Sequence, residues 1–253
     1  MGGAWSPGEN GGLWGDDARG INEGGLAVRQ LVDKGGYAGG VLYHYALTLT
    51  EGDLTPATMD AIAAAWGANS ELDAAGELTD SAGYAYQMGN FGPMADALST
   101  AKIASADPAC MAERDEAIVS FFRQWEQMAV SRTIFYGHRS AETLLAAMTP
   151  TEFADVLNDL SEGIGMTAGF HDLPDPAVGP LAGAGRMMRQ PDVDAIMAAY
   201  GVDMNVLGLS TTGSFLDSLP DLETATAEVE AIAMDAFGVD AATVASWAMP
   251  TAG

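Results

Sequence analysis

Residues 111–148 carry apolar and polar side chains at helical spacing, with no proline inside the stretch. Positions three and four apart fall on one face of a helix, so this spacing predicts a single long helix. Its stripe consists of Phe121, Trp125, Met128, Arg132, Phe135, Arg139 and Glu142. Because the stripe begins aromatic and ends charged, it predicts a buried polar network or a binding site beside its second half.

A second amphipathic stretch follows a sharp break at Thr149-Pro150 and extends to about residue 173. Its apolar positions repeat at the same helical spacing, with Thr151 as the expected N-cap. They are Phe153, Val156, Leu157, Leu160 and Ile164. The two stretches together predict a helical hairpin, with the second helix folded back on the first.

Helical patterns also cover much of the remaining chain, and no period-2 alternation extends beyond four residues. Start signals and spacing predict further helices over 23–50, 55–68, 178–189, 191–200, 220–237 and 240–248. The fold class expected is therefore all-α, an antiparallel multi-helix bundle of seven to nine helices. Glycines at 35, 36, 39 and 40 predict close packing of the first helix against another.

Segments rich in glycine and proline suggest the domain organisation. Residues 1–22 are rich in Gly, Pro and Asn and are expected to be irregular. The least regular internal stretch is 69–109, where a loop and then a short helix from Pro93 are expected. Residues 23–250 are interpreted as one all-α domain. The segment LPDPAVGP, residues 173–180, is a break that could serve as a lid, a linker or a boundary between sub-domains.

The charge balance narrows the classes of partner. The chain has 35 acidic and 10 basic residues, a net charge of -25. Such a field repels phosphate backbones, so nucleic-acid binding is not expected. Two interpretations stay open for the acidity: a solvated surface suited to a salty environment, or a surface that binds cations.

Cysteine content and hydropathy limit the disulfides, metal sites and membrane-spanning segments that can be expected. The single cysteine, Cys110, excludes an internal disulfide framework and a multi-cysteine metal site. No run of 18 apolar residues occurs, so no membrane-spanning segment is predicted. The N-terminus of this sequence has neither the positive nor the apolar region of a signal peptide.

Histidines and charged residues on the long helix are the first candidates for a site. His138 and Glu142 are four residues apart, the spacing that places two metal ligands on one helix face. Arg132 and Arg139 lie beside them and would repel a divalent cation. The alternatives are an anion site formed by the arginines, or a network that only locks two helices together. His44 is interpreted as a partly buried structural histidine, with a ligand role as the alternative.

Glu162 is the candidate on the returning arm of the hairpin. Gly163 and Gly165 next to it allow a neighbouring helix to approach closely, which would bury the carboxylate and require a partner. Arg132 or Arg139 from the antiparallel arm could supply that partner. We therefore expect one polar layer, in which both arginines face Glu162 while His138 and Glu142 lie at its edge.

Three stretches resemble the imelysin-like family, in the branch related to imelysin peptidases and iron-regulated envelope proteins. In the first, Gln30-Leu-Val-Asp-Lys34 leads into Gly39-Gly-Val-Leu-Tyr43. The second is the helix from Met59-Asp60 to Trp66-Gly67, which ends on an aromatic residue and a glycine. The third is Leu160-Ser-Glu-Gly-Ile-Gly165. Their order and spacing are similar to the family pattern over about 220 residues.

The resemblance implies paired helical bundles, a periplasmic or cell-envelope location in bacteria, and a link to iron or haem. Of the family's site residues, only Glu162 carries over. The Gly-x-His-x-x-Glu signature is absent, because Gly137 directly precedes His138 and the residue three beyond that histidine is Ala141.

The function predicted is that of a non-enzymatic, imelysin-like envelope protein that binds iron, haem or another small ligand. The competing prediction is an interaction or scaffold protein of the envelope with no small-molecule site. Peptidase-like hydrolysis ranks last, because no catalytic motif is present. The identity of a protein partner does not follow from the sequence.

Overall fold

The computed structural model describes residues 12–14, 19–22, 24–68, 81–147, 149–204 and 221–249. The predicted irregular course of 1–11, 15–18 and 69–80 lies outside them. Helices dominate the described residues, which confirms the all-α class. A short antiparallel hairpin, β1 (Gly12–Trp14) and β2 (Arg19–Ile21), lies within the segment expected to be irregular. Paired strands there correct that expectation.

The first predicted helix is continuous but not uniform. It consists of α1 (Val28–Asp33), a π-helix (Lys34–Gly40) and α2 (Val41–Leu49). A π-helix is wider than an α-helix and usually appears only as a single turn, frequently at a functional site. Here it coincides with the predicted glycine cluster, and two of those glycines pack directly on the end of the hairpin's second helix.

Eleven α-helices lie in the described residues, more than the seven to nine predicted. After α2 come α3 (Pro56–Trp66), α4 (Ser81–Gln87), α5 (Phe91–Ala104), α6 (Met111–Ala146), α7 (Pro150–Ala168), α8 (Pro180–Ala184), α9 (Gln190–Ala199), α10 (Leu222–Phe237) and α11 (Ala241–Ser246). The excess arises because the π-helix divides the first helix and because α4 occupies a stretch that was expected to be a loop, whereas the short helix predicted from Pro93 corresponds to α5.

The hairpin of α6 and α7 forms the centre of the bundle. With 36 residues, α6 is about 54 Å long at about 1.5 Å per residue. It packs against α4, α5, α7, α8 and α10. The N-cap of α7 is Thr149 rather than Thr151: its side chain accepts from the backbone of Glu152, and Glu152 accepts in return from the backbone of Thr149. This reciprocal capping box explains the sharp break, with Pro150 at the first helical position.

Aromatic side chains fill the core between the two halves of the hairpin and the first helices. Trp125 of α6 packs edge-on against Tyr43 of α2 and Phe121 of its own helix. Phe170, just beyond α7, also packs edge-on against Tyr43. These rings are fully buried. They belong to one hydrophobic cluster that includes residues from α2, α3, α6, α7, α9 and α10.

The segment at 173–180 joins α7 to α8 as irregular chain. Buried Arg186 holds it in place, because Nη2 donates to the carbonyl of Leu173 and Nε pairs with Asp175 at 3.2 Å. Across the helices of the described residues, none is both long and apolar enough to span a membrane.

Candidate functional site

The charged end of the α6 stripe is only partly buried. Arg132 is 4% exposed, whereas Arg139 and Glu142 are exposed. A strict seven-residue spacing drifts by about 20° per heptad on a straight α-helix. Over the three heptads from Phe121 to Glu142 the stripe therefore turns by about 60° away from the core.

Arg132 lies in a cage of aromatic rings. Its guanidinium carbon is 5.0 Å from the ring centre of Tyr84, 4.7 Å from that of Phe135 and 4.5 Å from that of Tyr136. Nη2 also donates to the Tyr136 hydroxyl at 2.7 Å. Ring faces attract cations, so the cage stabilises a charge that water cannot reach.

Glu162 is the final acceptor in two series of hydrogen bonds, each of which starts at a positively charged side chain. Lys34 donates to the Tyr84 hydroxyl, which donates to Glu162 at 3.1 Å. Arg132 donates to the Tyr136 hydroxyl, which also hydrogen-bonds Glu162. The direct ion pair of Glu162 is with Lys34 at 3.6 Å. We call Lys34, Tyr84, Arg132, Tyr136 and Glu162 the Arg–Tyr cluster.

The tyrosines of the Arg–Tyr cluster are held in their neutral form. Burial raises the pKa of both Tyr84 and Tyr136 well above the usual range, and the Glu162 carboxylate adds to this while Arg132 opposes it. Each hydroxyl therefore keeps its proton and can donate it to Glu162. The cluster connects the π-helix, α4, α6 and α7, so it sets the register of four elements.

Several predicted members of the polar layer lie elsewhere. Arg139 pairs with Asp159 at 3.0 Å and not with Glu162. His138 pairs with Glu230 of α10 at 2.7 Å. Lys34, Tyr84 and Tyr136 lie beside Glu162 in the place of Arg139 and His138. These residues come from separate segments, and helical spacing on α6 could not reveal them.

His44 is half-buried on α2. Its Nδ1 atom is buried and has no hydrogen-bond partner among the described residues. The described residues contain no group of three His, Cys, Asp or Glu side chains that could hold a metal ion. His44 accordingly stays a candidate on sequence grounds alone.

The donor set does not fit an iron ion at the predicted positions. Glu162 is surrounded by Lys34 and Arg132, and two cations beside one carboxylate oppose the binding of a third. His138 is engaged with Glu230, on the side of α6 that faces α10. The Arg–Tyr cluster is therefore better suited to fixing helices than to holding a metal.

Glu126 is a fully buried carboxylate that helical spacing did not single out. It accepts from the Tyr43 hydroxyl and from the backbone N–H groups of Met187 and Met188, the latter two both at 2.7 Å. Burial raises the pKa of Glu126, while these hydrogen bonds and the charge of Arg186 oppose the rise. Its position directly after Trp125 in a core helix was the signal in the sequence that could have indicated this buried carboxylate. Glu126 anchors the backbone of Met187 and Met188 to α6.

An apolar groove runs along the packing surface of α1 and the π-helix against α7. Its volume is about 310 Å³, and its walls include Val28, Leu31, Val32, Gly36, Ile164 and Met204. No charged side chain is among the described residues that line it. Val28 and Val32 are 42% and 60% exposed at its rim, so solvent reaches an apolar surface.

An acidic pocket of about 520 Å³ adjoins the groove. Its lining includes His171, Asp172, Gln190, Asp194, Asp203 and Met204. His171 lies between two carboxylates, with Nδ1 at 3.0 Å from Asp172 and Nε2 at 3.4 Å from Asp194. Val202 and Met204 line both cavities, so the pocket and the groove meet at these residues.

Replacing Arg132 with lysine tests the aromatic cage. Lysine keeps the charge but loses the planar stacking and the hydrogen bond to Tyr136, so the free energy of unfolding should fall by about 1–3 kcal/mol. Arg139→Lys is the matched control: this arginine is exposed, and its loss should stay within about 0.5 kcal/mol. Urea unfolding measures both. Equal losses in the two variants would contradict a stabilising cage.

Comparison of the chain with protein families, with characterised proteins and with solved structures gives no match. The resemblance to the imelysin-like family accordingly stays a prediction from the sequence.

Proposed function

We propose that this protein binds a small apolar molecule in the groove between α1, the π-helix and α7, without transforming it chemically. The observation that carries the proposal is an open, uncharged cavity of about 310 Å³ in an otherwise strongly acidic chain. An engineered apolar cavity of about 150 Å³ is enough to bind benzene. Ligand pockets of proteins begin at about 300 Å³.

The architecture around the groove supports a site that exists before ligand arrives. Gly35 and Gly36 of the π-helix form one wall, and the Cβ that alanine would add to Gly35 lies 3.2 Å from the carbonyl oxygen of Gly165. The backbones of the two elements are thus in contact beneath the groove. A preformed cavity lowers the entropy cost of binding, because few side chains have to be ordered.

Iron and haem are less well supported than an apolar ligand. The described residues contain no cluster of three metal-ligating side chains. Among the described residues that line the groove, Met204 is the one able to act as an axial ligand of haem, and in haem proteins methionine serves beside histidine. The groove favours a ligand held by dispersion and burial rather than by coordination.

Filling the groove from Gly36 tests the proposal. A Cβ added to Gly36 meets no atom within 4 Å, so Gly36→Leu places an apolar side chain in the groove without a backbone clash. Binding of the uncharged fluorescent probe N-phenyl-1-naphthylamine should weaken by about tenfold or more, a change of about 1.4 kcal/mol. Stability should not fall, because glycine inside a helix costs about 0.5–1 kcal/mol relative to alanine.

Gly183→Leu is the matched control. Gly183 lies in the short helix α8, and a Cβ there also meets nothing within 4 Å. It does not line the groove. Probe binding to this variant should equal that of the parent protein. If the parent protein does not bind the probe, or if both leucine variants bind it as well as the parent does, the proposed function is wrong.

A second function, contact with a protein partner in the absence of a small-molecule site, is favoured by a different surface. Val41 and Tyr45 are four residues apart on α2 and are 61% and 51% exposed. Exposed apolar side chains on one helix face are typical of interaction surfaces. This function predicts that the fluorescent probe does not bind. The proposed envelope location rests on the three imelysin-like stretches alone, and hydrolysis ranks last for want of a catalytic motif.

A further inference from the structure

The groove and the acidic pocket adjoin each other and differ in chemistry. Val202 and Met204 belong to the lining of both, and the other described lining residues of the two cavities are different. On one side the lining is aliphatic and glycine-rich. On the other it carries Asp172, Asp194 and Asp203. A ligand that fills both must have an apolar part joined to a polar part.

The acidic pocket selects the charge of the polar part. Among the described residues that line it are three carboxylates and one titratable base, His171, which lies within 3.4 Å of Asp172 and Asp194. Even with that histidine protonated, the pocket keeps an excess of negative charge. Asp172 and Asp194 have side chains 82% and 55% exposed, so an incoming group can reach them without displacing the core.

The net charge of the whole protein also favours a cationic ligand. A net charge of -25 disfavours the approach of anions, including the carboxylate or sulfate end of an amphiphile. It attracts cations and raises their local concentration near acidic clefts. Charge complementarity therefore favours a positively charged head group over a neutral or an anionic one.

We propose that the groove and the acidic pocket together bind a cationic amphiphile, with the apolar chain in the groove and the ammonium-type head beside Asp194 and Asp203. This inference rests on the proposed function, since the apolar chain occupies the same groove. It adds the ligand class, which the groove alone does not determine.

Three probes with the same chain separate the contributions: octyltrimethylammonium, 1-octanol and octyl sulfate, each titrated calorimetrically below its micelle-forming concentration. The cation should bind about tenfold more tightly than the alcohol, and the sulfate more weakly than either. Raising the salt concentration should weaken the binding of the cation and leave the alcohol nearly unchanged, because salt screens exposed charges.

The double substitution Asp194→Asn with Asp203→Asn removes two charges while conserving shape. It should reduce the affinity for octyltrimethylammonium by about tenfold and leave that for 1-octanol unchanged. Glu113→Gln with Glu116→Gln makes the same change in net charge at the start of α6, on residues that line neither cavity. That control should retain the preference for the cation.

The outcomes separate the two proposals. If 1-octanol binds and Gly36→Leu abolishes its binding, but the cation binds no more tightly, the groove is a site and the cationic ligand class is wrong. If both asparagine substitutions leave the cation preference intact, the assigned head-group site is wrong. If octyltrimethylammonium binds equally well to Gly36→Leu, the cation occupies the pocket without the groove, and the inference fails as a whole.

Discussion

Gly169→Ala is expected to lower the free energy of unfolding by about 3–5 kcal/mol. A Cβ at this position would lie 2.5 Å from both the carbonyl oxygen of Gly35 and the backbone nitrogen of Gly40. Both atoms belong to the main chain of the π-helix, which cannot rotate aside as a side chain can. The methyl group therefore forces α7 and the π-helix apart, and with them the walls of the groove.

A series of alanine substitutions serves as the internal control. Gly36→Ala adds the same methyl group to the π-helix in open space, so the protein should be unchanged or more stable by about 0.5–1 kcal/mol. Gly35→Ala should fall between the two, because its nearest atom is 3.2 Å away. Thermal and urea unfolding measure the order. If Gly169→Ala is as stable as Gly36→Ala, the close packing of α7 on the π-helix is wrong.

Glu126→Ala is expected to destabilise the protein by about 3–5 kcal/mol at neutral pH. The substitution leaves the Tyr43 hydroxyl and the N–H groups of Met187 and Met188 buried without an acceptor. Arg123→Ala, an exposed change one turn earlier in α6, should stay within about 0.5 kcal/mol. Similar losses in the two variants would show that Glu126 does not anchor the backbone of Met187 and Met188.

Glu126→Gln separates the hydrogen bonds from the charge. Burial raises the pKa of Glu126 in the folded protein, so folding favours the protonated form. The corresponding stability is present below the pKa of the unfolded chain and is lost as pH rises through the raised pKa of the folded state. The glutamine variant has no such loss. Its stability relative to the parent should therefore increase between pH 4 and pH 8 in urea unfolding, and a difference constant with pH would contradict the raised pKa.

The parts of the fold that local signals determine could be predicted. The helix predicted over 55–68 is confirmed as α3. Its ends follow from a few adjacent residues, because the Thr55 side chain caps one end and Gly67 adopts the left-handed conformation at the other. The break before α7 was predicted for the same reason. Its cap was misplaced by two residues, since both threonines flank the proline and only the partner Glu152 distinguishes them.

The candidate site was predicted less well because its contacts join distant segments. Arg132 and Glu162 were predicted as site residues, and both belong to the Arg–Tyr cluster. Its members Lys34 and Tyr84 lie in the π-helix and in α4, which are far from α6 and α7 in the sequence. Arg139 has the same chemical character as Arg132 and lies one heptad later. The drift of the heptad against the true helical period moved it to the surface, where it pairs with Asp159.

The sequence by itself determined that this chain forms a helical bundle, where most of its helices begin and end, and that its surface is strongly acidic. These are properties of spacing, caps and composition, each contained in a short window of the chain. The tertiary structure alone decided that the glycine cluster becomes a π-helix against α7, that Glu126 is buried, and that an apolar groove meets an acidic pocket at Val202 and Met204. Burial and cavities depend on how separate helices pack, and packing is a property that no single window contains.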